Sequence, residues 1–430
     1  MNSRERIRLS LNHKEPDRVP IDLGGMASTG VMGIAYNQLK DHLRISGGET
    51  RIFDLAQQLA EIESEILQLF KVDCVDVGRT LPPAGPSDLE WQPWTLPDGS
   101  LAKAPAAFDA LPAPIAFPAS SKASGKVALV SDGLGGWVLK EKELIRAAMA
   151  KGALYFDDVY HPLRNAETKK EVDDFFEGSY DPSIGWPPLI SKADAESLQI
   201  KAKYLCDNTE YAILAGFKAS FLEAGEYLLG FDRYFSHLLR RRDFVTYLNE
   251  KLTEYYWANL KMWLPAVKDY VQVGVFGDDL GGQEGPLVSP KLFHEMIHPH
   301  QKELFQYVKH NSGLFTFLHS CGSIYRLVPD LIEAGIDVIN PVQISAEDMA
   351  PKKLKSEFGD DISFWGGGVD TQTVLGLGTP EEVKQNVRNN VETFAPGGGF
   401  VFASVHNVQA NVPPENVVAA FQAALECGTY

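Results

Sequence analysis

From Tyr211 onward the chain repeats one unit, a short apolar run followed by a longer amphipathic one, and no two of the apolar runs are joined like a hairpin. The runs are "YAILAGF", "YVQVGVFG", "GLFTFLHS", "IDVINPV", "DISFWGGG" and "GGFVFASV". Strands that cannot fold straight back must run parallel, with helices crossing over between them. Either a closed barrel or a doubly wound open sheet meets that demand. The polar residues favour the barrel. Asp278 and Asp279, His319 and Cys321, Asn340 and Gln343, Asp370, and His406 with Asn407 all stand at or just past strand ends. In an α/β barrel those ends converge on one mouth, where chemistry is done. No Gly-x-Gly-x-x-Gly turn marks the crevice of an open dinucleotide-binding sheet.

The first part of the chain is less regular. Ser3 is a plausible N-cap for a helix over Arg4 to Asn12, and "RVPIDLGG" is a strand closed by glycines. The spacing of apolar residues predicts one long helix from Ile52 to Phe70, leading into the strand "VDCVDVG". From about residue 81 to 156 the texture turns rich in Pro, Ser and Gly, which points to an inserted cap of turns and short strands. The expectation is a single domain over residues 1–430 carrying that cap.

A formal net charge of −17 argues against general binding to nucleic acid or anionic membrane, since both require fields of positive charge. Arg240, Arg241 and Arg242 form the one basic run. The N-terminal stretch "MNSRERIRLSLNHKEPDRVP" lacks the apolar core of a signal peptide, and no segment approaches the ~18 apolar residues of a membrane span. A cytoplasmic protein is expected. Cys74, Cys206, Cys321 and Cys427 show no disulfide spacing, and only Cys321 has a histidine beside it.

His319 and Cys321 are two apart, so on extended chain both side chains leave the same face. Histidine nitrogen and cysteine thiolate are favoured zinc ligands, and a catalytic zinc takes three protein ligands with one position open. His406, which follows the apolar "FVFASV", ends its strand in the same way and can reach the same mouth. The bland account is a buried thiol beside a hydrogen-bonded histidine, and spacing alone leaves both open.

The segments "LHSCGSIYRLVPDLIEAGIDVINPVQ", "FWGGGVDTQTVLGLGTPEEV" and "GGGFVFASVHNVQANVPPENV" resemble the C-terminal half of the uroporphyrinogen decarboxylase superfamily. Within it they look like the zinc methyltransferase branch, which moves methyl groups to or from corrinoid proteins. The opening "SRERIRLSLNHKEPDRVPID" is similar to the start of that branch, and "SDGLGGWVLKEK" in the cap is more loosely so. The resemblance implies a (β/α)8 TIM barrel with an N-terminal helical extension and an inserted cap. It also implies a zinc site in which His319 and Cys321 match the family's His-x-Cys pair.

Thiol-methylating members carry a second cysteine late in the chain, where this sequence has His406. Two neutral imidazoles and one thiolate donate less charge than a two-thiolate set, which leaves zinc more electrophilic. That suits polarising an ether oxygen. The resemblance therefore implies transfer of methyl from an O-methylated small molecule, such as a methoxylated aromatic, to Co(I). No Asp-x-His-x-x-Gly motif is present, so the corrinoid (cobalamin) is expected on a separate protein.

Three rival readings stand beside it. The first is methyl transfer from a methylcorrinoid to a thiol, and the second is a zinc-stabilised protein without catalysis. The third is the metal-free decarboxylase, which holds a polycarboxylated tetrapyrrole with arginines. The stretch after "DRVP" reads "IDLGGMASTG" and has none, whereas such a substrate requires cations.

Among the remaining candidates, Asp278, Asp279 and Glu284 offer a further ligand, a proton for the leaving oxygen, or an anchor for a ligand histidine. Helix capping explains each as well. Asn340, Gln343 and Asp370 are candidates for substrate binding, although Asp370 also suits a cap on the turn "TQTVL". Trp91, Trp94 and Trp137 could line an aromatic pocket in the cap, and core packing is the simpler account of them.

Overall fold

A computed structural model describes residues 1–54, 56–78, 91–105, 127–141, 144–153, 156–178 and 189–430. Seven parallel strands lie side by side in chain order: β1 (Cys74–Asp76), β2 (Ala212–Gly216), β3 (Val273–Gly277), β4 (Phe315–His319), β5 (Val338–Asn340), β6 (Ser363–Trp365) and β7 (Phe400–Val401). Sequential parallel order with helical returns curls a sheet toward closure.

The segment read as "RVPIDLGG" closes the seam. Ile21 pairs in parallel with Phe402 beyond β7, and Phe402 N–H donates to the Pro20 carbonyl at 2.8 Å. On the other flank Asp73 N–H, just before β1, donates to the Ile21 carbonyl at 2.8 Å. This eighth stave is reduced to a bridge, and Pro20, lacking an N–H, limits its ladder.

The barrel interior is filled by Ala212, Leu214, Val273, Phe317, Val338, Trp365 and Val401. Ile7 and Leu11 join that cluster from the helix Ser3–Leu11, which plugs the lower end. Asn2, rather than Ser3, caps this helix, in a reciprocal box with Glu5. Asp73 locks the plug to the seam. It accepts from Ser3 Oγ, Arg6 Nη1 and Arg18 Nη1 at 2.7 Å each, and from Ile21 N–H at 2.8 Å.

The long helix expected over Ile52 to Phe70 is replaced by a strand Ile52–Asp54, a strand Leu59–Ala60 and a short helix Ser64–Leu69. Asp54 Oδ1 accepts the Gln57 N–H at 3.0 Å, and Gln58 adopts a φ of 53°. Such a side-chain turn competes with helix. Pairing of Leu59 and Ala60 with Met32 and Val31 then decides the outcome.

In the expected cap, a hairpin joins Trp91–Thr95 to Leu101–Pro105, and a separate antiparallel sheet joins Val127–Ser131, Trp137–Glu141, Leu144–Met149 and Asp157–Asp158. The parts at 79–90, 106–126, 142–143 and 154–155 lie outside the described residues. Trp94 packs against the main core, as the simpler account of it held. The basic run is partly neutralised: Arg241 pairs with Glu167, and Arg242 with Glu295. Among the described residues, no helix is long and apolar enough to cross a membrane.

Candidate metal centre

Strand parity carries His319 to the mouth. Phe317 points into the barrel core, so His319, two residues on, points into the layer above it. Its register neighbours are Gly277 on β3 and Asn340 on β5. At the end of β2, Gly216 shares the inward parity of Leu214, and a Cβ added there would meet no heavy atom within 4 Å. A Cβ added at Gly277 would touch His319 Cβ at 3.8 Å, so glycine there leaves room beside the histidine.

His319, Cys321 and His406 offer ligand atoms that all lie within 4.8 Å of one another. Cys321 Sγ is 3.4 Å from His319 Nε2, and the two imidazole centroids are 5.8 Å apart. A tight turn holds the cysteine in place. Its N–H donates to Asp279 Oδ1 at 2.7 Å, and the next N–H, of Gly322, donates to Gln343 Oε1 at 2.8 Å. Gly322 has a φ of 79° and lies against the Gly281 backbone, so any side chain there would collide with it.

The donor chemistry fits zinc. His319 Nδ1 donates to Asn340 Oδ1 at 2.6 Å, which leaves Nε2 with its lone pair toward the cluster. Asn340 is itself clamped, since its Oδ1 accepts from Ser28 Oγ at 3.0 Å and its Nδ2 donates to the Trp365 carbonyl at 2.8 Å. Burial, and then the neighbouring His319, push His406 down to about 4, so it presents a neutral imidazole. Burial pushes the Cys321 thiol well up, and the carboxylates of Asp279 and Glu223 add to the shift. A dication among these donors would offset that shift by favouring the thiolate.

The other candidates separate by parity. Asp278 is fully buried on the outer face of its strand end. Its carboxylate accepts from the N–H groups of Phe221, Leu222 and Glu223 at 3.0 Å each, and from Gln301 Nε2 at 2.9 Å. It caps the helix Leu222–Leu229 and is not presented to the mouth. Burial pushes it up to about 6 against those bonds. Asp279 has the opposite parity and faces the triad, with Oδ1 3.7 Å from His319 Nε2.

Asn340, a candidate for substrate binding, is buried and hydrogen-bonded to His319. Gln343 braces the cysteine turn, and its Nε2 donates to Gln283 Oε1 at 3.0 Å. Asp370 closes its own turn, accepting from Gln372 N–H at 2.9 Å and from Thr373 Oγ1.

Sequence reasoning missed Glu223, Glu226 and Lys218. Burial, followed by the charge of Asp279 and Asp278, pushes Glu223 up to about 8. Burial likewise pushes Glu226 up to about 8, and its Oε1 is a buried atom without a hydrogen-bond partner. The available signal was their position in "GFKASFLEAGE", directly after a strand end.

Residues 177–427 match the family model of uroporphyrinogen decarboxylase (URO-D). In fold the chain is similar to the solved structure of a methyltransferase from Methanosarcina mazei, with 16% sequence identity, a TM-score of 0.54 and 99% of each chain covered. No curated protein matches it.

Proposed function

The chain belongs to the uroporphyrinogen decarboxylase family, and from that premise we propose that it is a zinc-dependent methyltransferase of the O-demethylase type. It takes methyl from an O-methylated small molecule, such as a methoxylated aromatic, and passes it to Co(I) of a corrinoid on a separate protein. The observation that carries this reading is the His319, Cys321, His406 triad at the barrel mouth. The likeness to a methyltransferase fold supports it.

The residues divide the work. His319, Cys321 and His406 would hold zinc, which supplies a Lewis acid able to draw charge from the donor oxygen. Asn340 fixes the His319 ring, and Asp279 with Gln343 fixes the Cys321 turn. In the transfer the methyl–oxygen bond breaks, the oxygen keeps the bonding pair, and the corrinoid nucleophile supplies the pair for the new bond to carbon. The leaving oxygen then needs a proton. Burial and then the charges of Asp279 and Asp278 raise the Glu223 carboxyl to about 8, and its charge is felt at Cys321. We assign it the role of proton donor, with Asp279 beside it as an electrostatic partner.

Several observations weigh on the decarboxylase reading. The residues after "DRVP" bring no arginine to the mouth, and Arg6 and Arg18 are spent on Asp73 beneath the barrel. A polycarboxylated substrate would meet Asp279 and Glu223 instead.

The test mixes zinc-loaded protein, reduced corrinoid and a panel of methyl donors, and follows the Co(I) absorbance. Loss with methoxylated donors, abolished by His406→Ala, is expected. If no donor removes the signal, while methylcorrinoid passes its methyl to a thiol, the thiol methyltransferase takes its place. Loss that His406→Ala leaves unchanged would remove that residue from the site.

A further inference from the structure

Each imidazole of the triad is backed by an asparagine, and each asparagine is backed in turn by a side chain from the N-terminal part of the chain. His319 Nδ1 donates to Asn340 Oδ1 at 2.6 Å, and the same oxygen accepts from Ser28 Oγ at 3.0 Å, across 312 residues of sequence. The His406 ring is hydrogen-bonded to the Asn407 side chain, and Asn407 Nδ2 donates to Gln57 Oε1 at 2.6 Å, across 350 residues. Both asparagines are fully buried, so protein partners rather than water set the direction of their amides.

Ser28 and Gln57 belong to one assembly. The strand Val31–Met32 pairs with Leu59–Ala60 on one side, and on the other Val31 bridges in parallel to Val408, two residues past His406. Met32 N–H donates to the Val408 carbonyl at 2.8 Å, Val408 N–H to the Gly30 carbonyl at 2.9 Å, and Gly33 N–H to the Gln58 carbonyl at 2.8 Å. Gln57 is itself fixed. Its N–H donates to Oδ1 of the buried Asp54 at 3.0 Å, and the next residue is tied to the cap, with Gln58 Nε2 3.6 Å from Met149 Sδ. A carboxylate behind a ligand imidazole raises its basicity, whereas an amide fixes the ring without adding charge. Two amide partners therefore suit an electrophilic zinc.

We propose that Gln57 and Ser28 are positioning residues of the metal centre: Gln57 aims His406 through Asn407, and Ser28 aims His319 through Asn340. The inference rests on the zinc-binding part of the reading above and is independent of the methyl donor. The simpler role of these bonds is to satisfy two buried amides, which would contribute to stability and leave metal binding untouched.

The experiment measures metal affinity rather than turnover. Full-length protein is titrated with zinc against a chelator of known affinity, and cobalt(II) is then bound in its place so that visible absorption reports the ligand geometry. Gln57→Met and Gln57→Ala remove the acceptor, while Gln57→Glu keeps an oxygen at the same reach. Either removal is expected to weaken zinc binding on the order of 10-fold and to shift the cobalt bands, with Gln57→Glu close to the parent. Ser28→Ala should weaken binding less than that, because Asn340 Nδ2 still donates to the Trp365 carbonyl. Removal variants that melt earlier yet keep the parent's affinity and cobalt spectrum would overturn the inference, as would a loss as large in Gln57→Glu as in Gln57→Met. A parent protein that binds neither metal would overturn the zinc reading itself, whereas a parent that binds both while every variant matches it would overturn only the positioning roles.

Discussion

At the lower end of the barrel Asp73 is surrounded by its opposites, whereas at the mouth Asp279, Glu223 and Glu226 crowd one another around three metal-ligand side chains. Both ends gather carboxylates, and they do it differently. Asp73 has two arginines, a serine and a backbone N–H, so its charge is matched where it is made. The mouth carboxylates repel each other, and that repulsion, added to burial, raises Glu223 and Glu226. A matched buried charge holds structure together, while an unmatched one marks a place where something is to bind.

The sharpest way to break the comparison is to unmatch the lower end. Asp73→Ala leaves Arg6 and Arg18 without their shared partner and frees the plug helix from the seam. Removing one partner of a buried pair costs about 3–5 kcal/mol. A lower thermal midpoint is therefore expected in melting followed by circular dichroism, while zinc stoichiometry in the folded protein stays unchanged. A loss of zinc without a loss of stability would show that the two ends are not separate in the way described.

Asn340 tests the mouth from behind. Asn340→Leu removes the acceptor for His319 Nδ1 and frees the ring to turn. Loss of such a supporting partner typically weakens metal affinity by roughly 10–100-fold. Competition with a chelator of known affinity measures it, and the ligand triad itself is untouched. An unchanged affinity would mean that packing alone holds the imidazole.

Much of this was legible in the residues. Apolar runs without hairpins implied the parallel barrel, and the period of two along a strand placed His319 and Cys321 on one face. The same parity distinguishes Asp278 from Asp279, although the register that says which one points inward emerges only from the pairing of Gly277 with His319. Other parts were not legible. The eighth stave at Ile21 is a single bridge, too short for any periodic signal. Ile52 to Phe70 carries helical spacing, yet tertiary pairing with Val31 and Met32 overrides it. Glu223 and Glu226 read as the solvated face of a helix, because only the assembled mouth shows the neighbouring carboxylates of Asp278 and Asp279 that raise them.

Glu226 gives the smallest effect and the most specific one, because its sign follows from proton linkage. In the folded protein the carboxyl is pushed up to about 8 by burial and then by Asp278 and Asp279, whereas in the unfolded chain it should titrate near its ordinary 4.5. Between those values the native state keeps a proton that the unfolded state has lost, so stability falls as pH rises through this window. Below about 4.5 both states are protonated and no penalty exists; above about 8 the full penalty persists. Glu226→Gln keeps the shape and removes the titration. Its melting temperature should match the parent near pH 4.5 and exceed it at pH 8.5, by an amount corresponding to roughly 1–2 kcal/mol once partial solvent screening is allowed for. The difference between the two pH profiles isolates this one group from Glu223, which titrates in both proteins. If that difference is the same at both pH values, Glu226 is not held protonated. The contrast with Asp73 would then have to rest on Glu223 and Asp279 alone.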